Sequence, residues 1–209
     1  TAALADPTGY GRIIRDANLE VQRIVEQKDA TPEELLVEEI NSGTYCFHLP
    51  SLKEALEKIK PDNAQGEYYL TDCIALLKAQ GKKVLALKTD DAEEIIGINS
   101  RNQLAVAEAI MRRRINEKFM EQGVTIVDPG NPYIESEVQI APDTIIYPFT
   151  FLQGKTTIGR DCQIGPGSTI KDSILADGVV VQHSILVECE IGTNCTIGPF
   201  SYLRPGTKL

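Results

Sequence analysis

At 209 residues with 42% of them hydrophobic, the chain can bury a sizeable core as one large domain or two small ones, which excludes disorder as its default state. A formal net charge of −9 repels nucleic acid and anionic membrane at long range, so neither is expected as a partner. No apolar run is long enough to span a bilayer and no basic-then-apolar leader opens the chain, so a soluble cytoplasmic protein is expected.

Up to about Gly123, strand-like and helix-like segments alternate, an α/β pattern. Thr31-Pro32-Glu33-Glu34 combines an N-cap, a proline at the first helical position and a capping-box glutamate, and predicts a short helix through Leu35 to Glu39. The strand-like INSGTYCF follows. Ser51 and Glu54 form a second capping box, after which Leu52, Ala55, Leu56 and Ile59 line one helical face until Pro61. Leu70, Ile74 and Leu77 mark a third helix closed by Gly81, and KKVLALKT is the next strand. Ser100 and Gln103 start the longest helix, with Leu104, Ala107, Met111, Ile115 and Phe119 on one side and Gly123 at its end.

Beyond Pro129 the period becomes six. Ile140, Ile146, Leu152, Ile158, Ile164 and Ile170 recur at that spacing, and after a slip of three the series resumes at Ile185, Ile191, Ile197 and Leu203. Four residues after these aliphatics, Ile170 aside, stand Thr144, Thr150, Thr156, Cys162 and Ser168, then Cys189, Cys195, Ser201 and Thr207, all small. The pattern predicts a left-handed parallel β-helix: each hexad is one short strand, three hexads complete a coil, the aliphatic fills the axis and the small residue fits the inner corner. Gly159, Gly165, Gly192 and Gly198, each just after an aliphatic, suit corners that need permissive φ. Packing in the small-residue column accounts for Cys162, Cys189 and Cys195. The five cysteines contain no C-x-x-C pair, and two histidines, His48 and His183, give zinc chemistry little to build on.

Six strings in order, DPTGYGRI, IVEQKDAT, EINSGTYCF, NAQGEYYLTD, GINSRNQL and TIGPFSYLRPG, run from Asp6 to Gly206. With them the chain resembles the bacterial bifunctional N-acetylglucosamine-1-phosphate uridylyltransferase and glucosamine-1-phosphate acetyltransferase enzymes. The resemblance implies a division into residues 1–100, the sugar-binding C-terminal part of a Rossmann-like nucleotidyltransferase domain; 101–123, a connector helix; and 124–209, the first coils of the acetyltransferase β-helix. It also implies that the Gly-rich phosphate loop and the later coils of these enzymes have no counterpart here, so the chain reads as an internal piece of a longer protein, inactive alone.

The resemblance assigns roles residue by residue. Gly11 takes the position that contacts the acetylamino sugar, although TGYGR also suits an ordinary turn. Glu26 offers two acceptor oxygens to sugar hydroxyls, or is a solvated strand end. Asn41 offers a carboxamide that donates and accepts at once, with an Asx turn as the alternative. Asn99 is implied as both a sugar-nucleotide contact and an oxygen ligand of Mg2+. Arg204 is implied to grip the phosphate of the acetyltransferase substrate. No residue is assigned a catalytic role. Tyr68, Tyr69 and Asp72 read as wall or helix-start residues, and Arg112, Arg113 and Arg114 as a solvated or salt-bridging face.

The implied partners are UTP, N-acetylglucosamine 1-phosphate, UDP-N-acetylglucosamine, glucosamine 1-phosphate, acetyl-CoA and two further copies of the chain in a homotrimer. Two alternatives stay open: another sugar-1-phosphate nucleotidyltransferase with a hexapeptide tail, and a non-catalytic trimerising module.

Overall fold

Short β-branched runs either side of a tight turn set the first half of the chain. In the computed structural model, which describes residues 1–209, the chain forms two units, Thr1–Ile98 and Asn99–Leu209. In the first, β1 (Ala2–Ala3), β2 (Arg12–Arg15), β3 (Val21–Val25) and β4 (Glu39–Ile40) pair antiparallel in the order β1-β4-β2-β3. Asp16 closes the β2–β3 hairpin by accepting the N–H groups of Asn18 and Glu20, both at 2.9 Å. Ile13, Val21 and Ile24 pack with Ile74 under the sheet.

Three α-helices and a 3-10 turn at Ala92–Ile95 complete this unit. α1 (Pro32–Leu35) has the expected capping box at Thr31 and Glu34, but it ends early because Glu39 already pairs in the sheet. α2 (Leu49–Leu56) starts before the expected Ser51 cap. Pro50 occupies the helix start, His48 is the N-cap, and Ser51 lies buried inside the first turn with its hydroxyl 3.0 Å from His48 Nδ1. α3 (Asp72–Ala79) ends as expected at Gly81, whose φ is 74°.

The α/β expectation needs correction here. Every strand pair of this unit is antiparallel, so these residues do not form a Rossmann-like parallel sheet. Of INSGTYCF only Ile40 lies in a strand, and Lys82–Thr89 has no sheet ladder beyond two hydrogen bonds with Thr1. A strand exists through its hydrogen-bonded neighbour, and propensity alone does not supply one. Leu85 and Leu87 are left 78% and 90% exposed, while Val84 and Ala86 turn partly inward.

The second unit opens with α4 (Arg101–Glu121), capped by Ser100 Oγ, which accepts the Gln103 N–H at 3.2 Å. Its apolar stripe is buried only toward its end: Phe119 joins the solenoid core, whereas Leu104 and Met111 are 54% and 53% exposed. Asn116, 1% exposed, donates to the Pro129 carbonyl at 2.8 Å and holds the following loop.

From Thr125 the chain winds into a parallel β-helix of three sheets, two of five strands and one of four. Ile126, Ile146, Ile164, Val181 and Ile197 stack on one face; Ile134, Leu152, Ile170, Leu186 and Leu203 on the second; Ile140, Ile158, Leu175 and Ile191 on the third. The slip of three is thereby resolved into three corners, each one residue short: between Ile170 and Leu175, between Val181 and Leu186, and between Leu186 and Ile191. Ile185, expected inside, instead points outward and is 46% exposed, and Leu186 is fully buried in its place.

The small-residue column is continuous through the slip, where Ser173, Val179 and Ser184 fill it. Its polar members are satisfied. Thr150 Oγ1 donates to the Tyr147 carbonyl at 2.7 Å, Thr144 Oγ1 accepts the Cys162 N–H at 3.0 Å, and Ser173 Oγ accepts the Cys189 N–H at 3.0 Å. Gly165 and Gly198 take the positive φ expected of them, 101° and 107°. Gly159 and Gly192 do not; they are small because the next coil passes close, with a Cβ at Gly159 falling 2.8 Å from Asp177 N.

Candidate functional site

The β2–β3 hairpin and the return of the chain through β4 bring three of the sequence-predicted residues together. Gly11 immediately precedes β2, Glu26 immediately follows β3, and Asn41 immediately follows β4. Their backbones are tied directly, because the Asn41 N–H donates to the Gly11 carbonyl at 2.8 Å. Gly11 is buried, and a Cβ there would lie 3.3 Å from both carboxylate oxygens of Glu26. The missing side chain therefore makes room for Glu26 to lie against the turn.

Thr71, at the start of α3, donates its hydroxyl to Glu26 Oε1 at 3.1 Å and fixes that carboxylate on one side. Asn41 Oδ1 accepts two hydrogen bonds, from the Gly43 N–H at 3.0 Å and from the Tyr45 hydroxyl at 2.8 Å. The Asx turn offered as the alternative for Asn41 is thus present, and it leaves the Nδ2 amide group without a partner in the chain. Burial pushes the Tyr45 phenol up, the hydrogen bond to Asn41 works against that, and the Glu26 carboxylate adds to the rise.

The turn before Gly11 is held by a residue that the sequence reading did not single out. Arg12 is 2% exposed; its guanidinium donates to the Tyr10 carbonyl and, at 2.8 Å, to Gln27 Oε1, which also accepts the Gly9 N–H at 3.2 Å. Tyr10 Oη in turn accepts the Gly97 N–H at 3.2 Å. Arginines are rarely buried, so nothing in the residue type alone signals an internal clamp here. Thr71 and Tyr45 were equally silent: both owe their role to an approach across the fold or a bend in the backbone.

This arrangement can recognise a small polyhydroxylated ligand. Glu26 supplies acceptors and the free Asn41 amide supplies donors, beside a turn that a glycine keeps open. The cleft next to it, about 560 Å³, takes in Asn41 and Tyr45 and is walled by Ile24 and Val84.

Asn99 and Arg204 both belong to the second unit. Asn99 is the first residue of the second unit, exposed, with its N–H donating to Gln103 Oε1 at 2.8 Å. One neutral carboxamide oxygen is not a magnesium site, and no group of three or more His, Cys, Asp or Glu side chains in the chain gathers to hold a metal ion. Arg204 is exposed in the last coil, where its carbonyl accepts from Thr207. Tyr68 is 68% exposed, and Arg112 lies 4.4 Å over the Tyr133 ring. Cys162 and Cys189 are buried in the corner column, where burial pushes the Cys162 thiol up and keeps it unreactive.

Residues 131–172 match the family described as bacterial transferase hexapeptide (six repeats). Over all 209 residues the chain is 54% identical to the bifunctional protein GlmU of Clostridium novyi (strain NT), covering 46% of that protein. It is 53% identical to that of Geobacillus sp. (strain WCH70) and 52% to that of Clostridioides difficile (strain 630), with the same coverage. The chain spans about half the length of the curated relatives it matches. No helix is long and apolar enough to cross a membrane.

Proposed function

Over its whole length this chain belongs with the bifunctional GlmU proteins, and from that premise we propose that it carries the sugar side of a uridylyltransferase and the opening coils of an acetyltransferase. In the first reaction a phosphate oxygen of N-acetylglucosamine 1-phosphate displaces pyrophosphate from the α-phosphorus of UTP, giving UDP-N-acetylglucosamine. In the second, glucosamine 1-phosphate is acetylated from acetyl-CoA. Both serve cytoplasmic synthesis of the peptidoglycan precursor.

The observation that carries this reading is the convergence of Gly11, Glu26 and Asn41 on one turn. The family resemblance assigns the three residues to one sugar, and Gly11 links them: its carbonyl accepts the Asn41 N–H, and the Glu26 carboxylate lies where its side chain would be. Their work is positioning: Glu26 holds hydroxyls, Asn41 donates, and Arg12 keeps the turn rigid, which lowers the entropic part of the barrier. Residues 1–98 act as the sugar-binding part of a nucleotidyltransferase domain. Asn99 would offer one neutral oxygen to a Mg2+ ion, whose chemistry would be to neutralise charge on the reacting phosphates, and Arg204 meets the phosphate of the second substrate between β-helices of a homotrimer.

Pyrophosphate release from UTP and N-acetylglucosamine 1-phosphate tests the proposal, using the 209-residue chain and a polypeptide extended to the length of its relatives. The extended protein is expected to turn over, the 209-residue chain not, and Glu26→Gln in the extended protein is expected to lower kcat/KM by about tenfold or more, the worth of a charged hydrogen bond. An extended Glu26→Gln protein with unchanged kcat/KM overturns the assignment.

A further inference from the structure

Asn41 can present either end of its carboxamide to a ligand, and the structure settles which. A backbone N–H can only donate, so the atom 3.0 Å from the Gly43 nitrogen is the carboxamide oxygen. The Tyr45 hydroxyl, 2.8 Å from the same atom, must then donate to it as well. Both lone pairs of Oδ1 are occupied from within the chain. Tyr45 is itself held, half-buried and stacked on Phe47 with ring centroids 5.4 Å apart.

We propose that Tyr45 is a positioning residue of the sugar site, saturating Asn41 Oδ1 so that Asn41 meets its ligand only as a donor, through Nδ2. The inference rests on the sugar-phosphate reading of Gly11, Glu26 and Asn41. It gives the site a polarity: Glu26 accepts and Asn41 donates, so the matching ligand carries a hydroxyl donor and an oxygen acceptor. An acetylated amino sugar offers both, through a ring hydroxyl and its amide carbonyl. A free ammonium at the acetamido position offers only donors, and it faces the Asn41 N–H groups as an unpaired like partner.

The test is Tyr45→Phe in the 209-residue chain, titrated with N-acetylglucosamine 1-phosphate and with glucosamine 1-phosphate while the Asn41 side-chain amide is followed by NMR. Phenylalanine keeps the stack on Phe47, so the backbone spectrum and unfolding midpoint should hold. The expected result is a shifted Asn41 amide in the free variant, N-acetylglucosamine 1-phosphate binding about threefold to tenfold weaker, and a smaller ratio between the two ligands. Asn41→Ala serves as the reference. If Asn41→Ala weakens binding and Tyr45→Phe does not, the positioning role is overturned while the sugar site stands. If neither change matters, or the unaltered chain binds no sugar phosphate, the sugar reading falls and this inference falls with it.

Discussion

Gly159→Ala probes how closely the coils of the solenoid stack. The added methyl would sit 2.3 Å from Asp177 Oδ1 and 2.8 Å from both the Ala176 carbonyl carbon and Asp177 N, in the coil above. The carboxylate can swing away, but then the Arg160 N–H loses its acceptor, now 2.7 Å away, at about 1 kcal/mol. The backbone atoms cannot move without parting the two coils, an overpacking cost of about 2 kcal/mol. The expected total is about 3 kcal/mol, or roughly 12 °C in unfolding midpoint for a unit of this size.

Gly206→Ala supplies the contrast. Its φ is 83°, yet nothing lies within 4 Å of the added methyl, so only the left-handed backbone cost of about 1–2 kcal/mol applies. Thermal unfolding by circular dichroism measures both, and amide exchange at Gly178, which donates to the Arg160 carbonyl at 2.8 Å, reads the coil contact locally. Equal losses for the two variants, or unchanged protection at Gly178, would refute the account of Gly159 as a contact residue.

The register of the fourth coil is open to a paired test: Leu186→Ala should cost about 2–5 kcal/mol and Ile185→Ala under about 1 kcal/mol, with the reverse order in denaturant unfolding restoring the strict six-residue reading. Glu39 is held below its ordinary range first by the hydrogen bond from Arg15, against the opposing effect of burial. A depressed carboxylate contributes stability above its unfolded pKa and loses it as pH falls through the folded value, so the first unit should weaken below about pH 4.5. Arg15→Gln should remove part of that acid dependence, and a stability–pH curve of unchanged slope argues against the pairing.

The two halves of the chain were legible to different degrees, for a physical reason. In the solenoid each coil packs on its sequence neighbours, so a local period carries the tertiary structure, and the corner column from Thr144 to Ser168 could be read directly. The exception is instructive. Ile185 and Leu186 are both apolar, and choosing between them needs the corner lengths, which a strict period hides. In the first unit the strands KKVLALKT and INSGTYCF had the right composition, but strand identity depends on a partner that composition does not name. Gly11, Glu26 and Asn41 were found through family motifs. Arg12, Thr71 and Tyr45 were missed because their roles arise only when β2, β3, β4 and α3 are brought together.

The three short corners between Ile170 and Ile191 separate two properties of the solenoid. The rise from coil to coil is set by the strand ladders, which stay in register through Ile164, Val181 and Ile197. Contour length is absorbed at the vertices. The corners around Lys171–Ser173, Gln182–Ser184 and Val187–Cys189 therefore act as expansion joints, each giving up one residue while the buried Ser173, Ser184 and Cys189 keep the corner column unbroken. The same change inside a two-residue strand would turn an axial side chain to solvent and break the stack above it.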